Sequence, residues 1–287
     1  MNTPYNLELF AFFSELRGKP VPDDFCDQVF DRFDIDLLAA FGNTSLKNPI
    51  LVDCNEFEST FGEIDQIIKS GFGGVILKDI DCNDNQNCYL ESLSKFINGN
   101  LPVYGSIKVD YQEYNKDNLR NIASKIVDAG IKSLIISSSL YDHKLELYKE
   151  SIEVVKEITE QTFFRINNAV MDYSSRMVLL EYLYAAGADG VVIKDEDIVE
   201  DEGKNRLIEW IKNAREVPLR ISIASSVSCG SDIFDFLEAG AQCVQVTDFN
   251  LLDDDYKKYG SKFVNAFYEL ILDPEDGLIS SIIKEKK

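Results

Sequence analysis

Four cations stand at the ends of short apolar runs. Lys78 follows Val75-Ile76-Leu77, Lys108 follows Ser106-Ile107, Arg165 follows Phe163-Phe164, and Lys194 follows Val191-Val192-Ile193. Carboxylates occupy similar places at Asp53, Glu56, Asp79, Asp110, Asp195 and Asp248, and so do the hydroxyls and amides of Asn55, Ser137, Ser138, Ser139, Asn167, Ser225, Ser226 and Thr247. A lysine in such company can bind an anion, form a Schiff base, or lose its proton readily when desolvated. It can equally be tied up in an ion pair, and Asp79 next to Lys78 is a ready partner. Both readings stay open for Lys78. The acidic residues after Lys194 favour the ion pair there. Ser225-Ser226, with Gly230 opening a helix, lies where loop amides and a helix N-terminus can hold a phosphate. Serine lacks the freedom of glycine to bring backbone against an anion, and Asp248 would repel one.

These residues need a frame that brings them together. Four helix-like stretches end in glycine and run directly into apolar strand-like stretches, at Gly71, Gly130, Gly187 and Gly240. Glycine suits the left-handed residue that closes a helix. The short apolar runs that follow suit strands buried on both faces, as in parallel sheets. The four glycines recur at intervals of 59, 57 and 53 positions, each long enough for two strand–helix units. The expected fold is therefore α/β, a single (β/α)₈ barrel over residues 48–287 with a helical extension over residues 1–47. The eight strands are expected at Ile50–Val52, Gly74–Leu77, Val103–Val109, Leu134–Ser137, Thr162–Ile166, Val191–Ile193, Leu219–Ala224 and Cys243–Thr247. Helices are expected at Phe61–Ser70, Tyr89–Ile97, Asn118–Ala129, Lys144–Thr159, Ser174–Ala186, Lys204–Ala214, Asp232–Ala239 and Tyr256–Ile271. In the extension, helices over Leu7–Arg17 and Asp23–Phe33 precede two short strands, Ile35–Phe41 and Thr44–Lys47, around the turn Gly42-Asn43. In such a barrel the polar residues just past each strand share one face, where chemistry takes place.

Composition narrows the partners. The 287 residues carry a net charge of −21, which argues against a nucleic-acid partner and disfavours an anionic membrane surface. Apolar residues make up 45%, enough for a full core. The six cysteines show no Cys-x-x-Cys spacing, so reduced thiols and a cytoplasmic location are expected. His143 is the one histidine and reads as a surface residue, and no metal site is expected. The longest apolar runs fall short of a membrane span. The start carries Glu8 and no basic region, unlike a signal peptide.

From about Asn43 onward the chain resembles the dihydroorotate dehydrogenase family, especially its cytosolic class and the bacterial dihydroorotate dehydrogenase-like proteins. The carriers are Leu46-Lys47-Asn48-Pro49-Ile50, Gly74-Val75-Ile76-Leu77-Lys78, Asp128-Ala129-Gly130, Ala186-Gly187-Ala188-Asp189-Gly190, and Gly230 with Glu238-Ala239-Gly240-Ala241-Gln242-Cys243-Val244-Gln245-Val246. The resemblance implies a barrel that binds flavin mononucleotide (FMN), an oxidoreductase of pyrimidine metabolism, and a possible homodimer. Lys78 matches the family lysine that contacts flavin and substrate. Arg165 falls where a lysine lies beside the flavin ring, and Ser137 and Asp195 fall where asparagines contact substrate or flavin. Leu140 falls at the catalytic base, with Ser139 as the neighbouring substitute. Lys108, Ser225, Ser226 and Thr247 complete the implied cofactor cradle.

Several of these positions depart from the family pattern. Asp53 and Glu56 stand where small residues underlie the flavin, paired glycines have become Ser225 and Ser226, and Thr247-Asp248-Phe249 replaces a small stretch. A like-charge pair at ~4 Å costs on the order of 4 kcal/mol at an effective dielectric near 20. The expectation is a barrel of FMN-oxidoreductase ancestry with an eroded flavin and catalytic site, weakly active or non-catalytic. Two alternatives remain: an active FMN-dependent oxidoreductase acting on dihydroorotate or a related small molecule, and a different barrel enzyme using Lys78 or Lys194 for a Schiff base or a phosphate contact.

Overall fold

The computed structural model describes residues 4–56, 66–82, 101–138, 145–167, 172–194, 201–248 and 261–286. Two helices come first, α1 (Pro4–Leu16) and α2 (Phe25–Phe33), then the hairpin β1 (Ala39–Phe41) and β2 (Thr44–Leu46). The chain continues through β3 (Ile50–Asp53), β4 (Gly74–Ile76), β5 (Ile80–Asp81) and β6 (Val103–Val109). From there strand and helix alternate: α3 (Lys116–Asp128), β7 (Ser133–Ser138), α4 (Leu145–Lys156), β8 (Gln161–Asn167), α5 (Tyr173–Ala185), β9 (Gly190–Lys194), α6 (Asp201–Ala214), β10 (Arg220–Ser225), α7 (Gly230–Ala239) and β11 (Cys243–Val246). Helices α8 (Lys262–Leu272) and α9 (Leu278–Glu285) end it.

Eight strands close into a barrel, as the glycine spacing led us to expect. β3 pairs in parallel with β4 and β11, and the ladder continues through β10, β9, β8, β7 and β6. Pairing of β4 with β6 completes the ring. The short β5 adds a two-residue ladder to β6, which the sequence had not suggested. Gly71, Gly130, Gly187 and Gly240 all have positive φ, between 89° and 121°, so each ends its helix with a conformation that other residues adopt only under strain. The helices expected at Phe61–Ser70 and Tyr89–Ile97 fall largely or wholly outside the described residues.

The barrel interior is packed. Leu51, Ile76, Tyr104, Ile135, Phe163, Val192, Ala224 and Cys243 form one buried cluster, each from a different strand. The hairpin stoppers its lower end. Phe41 stacks on Phe163 with ring centroids 4.1 Å apart and lies 5.2 Å from Tyr104. Full burial of a phenylalanine contributes about 1.5–3 kcal/mol. Gln161 holds the turn, accepting the Asn43 N–H at 2.5 Å and donating to Thr44 Oγ1 at 3.0 Å. Gly42 is required by this close approach, since a Cβ there would lie 1.9 Å from Gln161 Oε1.

The extension packs on the last barrel helix. Phe25 meets Phe267 at 5.3 Å, Arg17 pairs with Glu269 at 3.1 Å, and the Tyr268 hydroxyl donates to Pro20 O at 3.2 Å. The C-terminal region holds two described helices where one had been expected. Asp273 Oδ1 accepts the N–H groups of Glu275 and Asp276, at 2.8 and 2.9 Å, which turns the chain after α8. Helix α9 then buries Leu278, Ile279 and Ile283. No helix among the described residues is long and apolar enough to cross a membrane.

Candidate functional site

Side chains alternate along a strand, so the residue two positions beyond an inward-facing core residue also faces the barrel axis. Stepping up from the core cluster gives Asp53 on β3, Ser106 and then Lys108 on β6, Ser137 on β7, Arg165 on β8, Lys194 on β9, Ser226 after β10, and Gln245 and then Thr247 on and after β11. The register links three of them directly, pairing Lys108 with Ser137 and Ser137 with Arg165. The fold therefore brings Asp53, Lys108, Ser137, Arg165, Lys194, Ser226 and Thr247 to one end of the barrel.

Arg165 is the centre of that end. Its side chain is 1% exposed and donates from Nη2 to Asp53 Oδ2 at 2.7 Å and from Nη1 to Asp79 Oδ1 at 3.3 Å. Asn55 locks the two acids together. Its backbone N–H and Nδ2 donate to Asp53 Oδ1 at 3.0 and 2.8 Å, Nδ2 also reaches Asp79 Oδ1 at 3.2 Å, and its Oδ1 accepts the Asp79 N–H at 2.7 Å. Asp53 is wholly buried. Burial pushes its carboxyl above the usual range, Arg165 and the Asn55 N–H pull it down, Asp79 adds to the rise, and Lys194 lowers it. The Arg165 Nε is buried and has no hydrogen-bond partner among the described residues.

The four cations thus divide into two pairs. Arg165 and Lys194 are buried, Lys194 at 9% exposure. Lys78 and Lys108 are exposed and make no ion pair among the described residues. The partner considered for Lys78, Asp79, is engaged by Arg165 and Asn55 instead. Of the other expected site residues, Ser137 is buried beside Arg165 in register, while Ser139, Leu140, His143, Asp195 and Phe249 lie outside the described residues.

Near Ser225 and Ser226 the polar groups bond to one another. Ser225 Oγ donates to Ser226 O at 2.8 Å, the Thr247 N–H donates to Ser225 O at 3.1 Å, and Ser226 Oγ lies 3.3 Å from Thr247 Oγ1. The start of α7 is also committed. Asp232 Oδ2 accepts the Ser228 N–H at 2.9 Å and Oγ–H at 2.7 Å, and the Ser231 N–H donates to Asp276 O at 2.8 Å. Gly230 answers to packing, because a Cβ there would meet Leu270 O at 2.1 Å. The sequence reading missed the ion cluster beneath this turn, where Lys204 reaches Asp232 at 2.6 Å and Asp235 at 2.7 Å. Burial pushes the Asp232 carboxyl up, but the bonds from Lys204 and Ser228 outweigh it and hold the group below its usual range.

Deeper in the barrel is a second polar layer that had gone unnoticed, although strand alternation could have found it. Gln245 Nε2 donates to Ser222 Oγ at 2.9 Å and Cys243 Sγ lies 3.2 Å from the same oxygen. Burial pushes the Cys243 thiol up to about 12. No group of three or more potential metal-binding side chains occurs among the described residues.

Comparison with known proteins agrees with this architecture. The fold is similar to that of dihydroorotate dehydrogenase (DHODH) from Eimeria tenella, solved with ferulenol, with a TM-score of 0.61 and 12% identity over 94% of this chain and 92% of that one. A mandelate oxidase solved with an FMN adduct gives a TM-score of 0.58 and 12% identity, covering 86% and 77%. Inosine 5′-monophosphate dehydrogenase from Legionella pneumophila gives 0.50 and 15%, covering 73% and 61%. At these identities the likeness is one of fold. No family model matches the chain, and no curated protein matches it.

Proposed function

We propose that the protein is a barrel of FMN-oxidoreductase ancestry whose flavin site is eroded, leaving it weakly active or inactive in redox chemistry and suited to a binding or scaffolding role. One observation carries this reading: Arg165, at the position implied to flank the flavin ring, has both terminal nitrogens bonded to Asp53 and Asp79. The residues present do not fit FMN. Two carboxylates and their guanidinium are bonded to one another beside Asn55, and the hydroxyls implied for the phosphate cradle are turned on one another. The α7 turn is closed by Asp232 and Asp276, which leaves it unsuited to a dianion. We place the protein in the cytoplasm from the spacing of its six cysteines, and its charge of −21 argues against a nucleic-acid or anionic-membrane partner. A homodimer is the simplest assembly for such a barrel.

The test is a titration of the purified protein with FMN, followed by flavin absorbance and fluorescence. The expected result is a colourless protein that leaves the free-flavin spectrum unchanged.

A second reading, an active FMN-dependent oxidoreductase acting on dihydroorotate or a related small molecule, has one observation in its favour. Lys78, the implied flavin- and substrate-contacting lysine, is exposed at the mouth and makes no ion pair among the described residues. Bound flavin, reduced by dihydroorotate, would establish that reading in place of the first.

A further inference from the structure

The Pro20-Val21-Pro22 linker between α1 and α2 roofs a cavity of about 390 Å³ at the foot of the barrel. Lys47, which leads into β3, and Gly71 and Phe72, which lead into β4, line its other side. The cavity therefore lies at the N-terminal ends of the strands, opposite the mouth that holds Arg165. Its size falls within the range of about 300–1,000 Å³ typical of small-molecule sites. Its walls are held in place. Phe25 and Phe72 are buried, and both pack edge-on against Phe267, at 5.3 and 5.4 Å. The roof is stiffened by its two prolines, tied to α8 by the Tyr268 hydroxyl on Pro20 O at 3.2 Å, and joined to α2 by the Phe25 N–H on Pro22 O at 3.1 Å. A Cβ at Gly71 would strike Phe267 at 2.8 Å and Val21 at 3.0 Å, so the glycine sets the separation of roof and wall. The charged lining residues are two lysines, Lys47 and Lys69, against one aspartate, Asp23, which leaves +1 in a chain of −21. Both lysines are exposed, so they stand at the rim, and Lys47 makes no ion pair among the described residues. Cys26 also lines the cavity and donates to Lys47 O at 3.3 Å. Burial pushes its thiol up, and the Lys47 charge pulls it back against smaller rises from Asp27 and Asp36.

We propose that this cavity binds a medium-chain carboxylate, with its apolar chain against Val21, Phe25 and Phe72 and its charged head at the rim beside Lys47 and Lys69. Burial of the chain supplies most of the affinity. Walls already fixed by Phe267 and Tyr268 spare the cost of ordering them on binding. The two exposed lysines each add about twofold to fivefold, the usual worth of an ion pair open to water. A single negative charge matches the lining, whereas a dianion such as a phosphate ester would bring a second charge toward Asp23 without a partner. The site is separate from the mouth, so it does not depend on whether flavin binds there.

Octanoate is titrated into the full-length protein at low salt and followed by calorimetry, alongside octanol, which lacks the charge, and acetate, which lacks the chain. The expected result is one saturable octanoate site with a Kd on the order of 0.1–1 mM. Octanol is expected to bind at least fivefold more weakly, and acetate not at all. Cys26 reports the place. Saturating octanoate is expected to slow its alkylation by N-ethylmaleimide at least fivefold, read by peptide mass, and to leave Cys229, also partly buried but outside the cavity lining, unchanged. Lys47→Met is expected to weaken octanoate about threefold without affecting octanol. Val21→Trp, which fills the cavity, is expected to abolish binding of both. Protection of Cys26 in the natural sequence reads the site even if a variant folds poorly. No saturable octanoate binding, octanol bound as tightly as octanoate, or Cys26 alkylated at an unchanged rate would each overturn the proposal. The outcome is separate from that of the flavin titration, because none of these probes is a flavin and none is expected at the mouth.

Discussion

Arg165 and Asp53 are 112 residues apart in sequence and 2.7 Å apart in space, bridging β8 to β3 across the mouth of the barrel. Both are buried, so the pair depends on being complete. Water does not rescue either charge if the other is removed.

Arg165→Met is therefore expected to destabilise the fold by about 3–5 kcal/mol, the usual penalty for leaving one buried charge without its partner. Urea denaturation with and without the substitution reads this directly. The double variant Arg165→Met with Asp53→Leu removes both charges and is expected to recover most of the loss. Recovery would show that the pair closes the mouth without contributing much net stability.

Gly42 makes a second, independent point about the lower end of the barrel. Its φ is +67° and a Cβ would fall 1.9 Å from Gln161 Oε1. Gly42→Ala forces the hairpin away from Gln161 and Phe163, with an expected loss of about 1–3 kcal/mol. Thermal denaturation checks it, and an unchanged midpoint would mean that the hairpin is not held as described.

The ion cluster under α7 sets a pH dependence. The folded-state pKa of Asp232 is held below its ordinary value of 3.8, and that of Lys204 is raised above 10.5, with burial opposing both and the mutual hydrogen bonds prevailing. A carboxyl lowered on folding contributes stability at pH above 3.8 that is lost as pH falls through the folded value. A lysine raised on folding contributes stability below pH 10.5 that is lost as pH rises past its folded value. The stability gap between the natural protein and Asp232→Asn is thus expected to be full from pH 5 to 9 and to shrink in acid below pH 3.8. Urea midpoints across that range would reveal it.

Much of the architecture was legible because it is written locally. A glycine that ends a helix and an apolar run that follows it are near neighbours in sequence, and Gly71, Gly130, Gly187 and Gly240 carry the positive φ that this pattern demands. That strand-end residues such as Asp53, Lys108, Arg165 and Lys194 would share one end of the barrel was legible for the same reason. Pairing within the site was not. Asp79 lies next to Lys78 in sequence but bonds to Arg165, 86 positions away, because consecutive residues past a strand end point in different directions and only the closed ring brings β8 opposite β3. Gly230 looked like part of an anion cradle, yet its smallness answers to Leu270 O. Helix α9 was overlooked because the Asp273-Pro274 turn reads as an ending, while the chain resumes its helix four residues later.

The most direct test of the central claim is equilibrium binding of FMN to the purified full-length chain, followed by quenching of flavin fluorescence. The expected result is no saturable quenching at micromolar flavin, and none for Asp232→Asn either. Stoichiometric quenching with a shifted flavin absorption band, weakened by Arg165→Met, would contradict it and would assign Arg165 to the flavin.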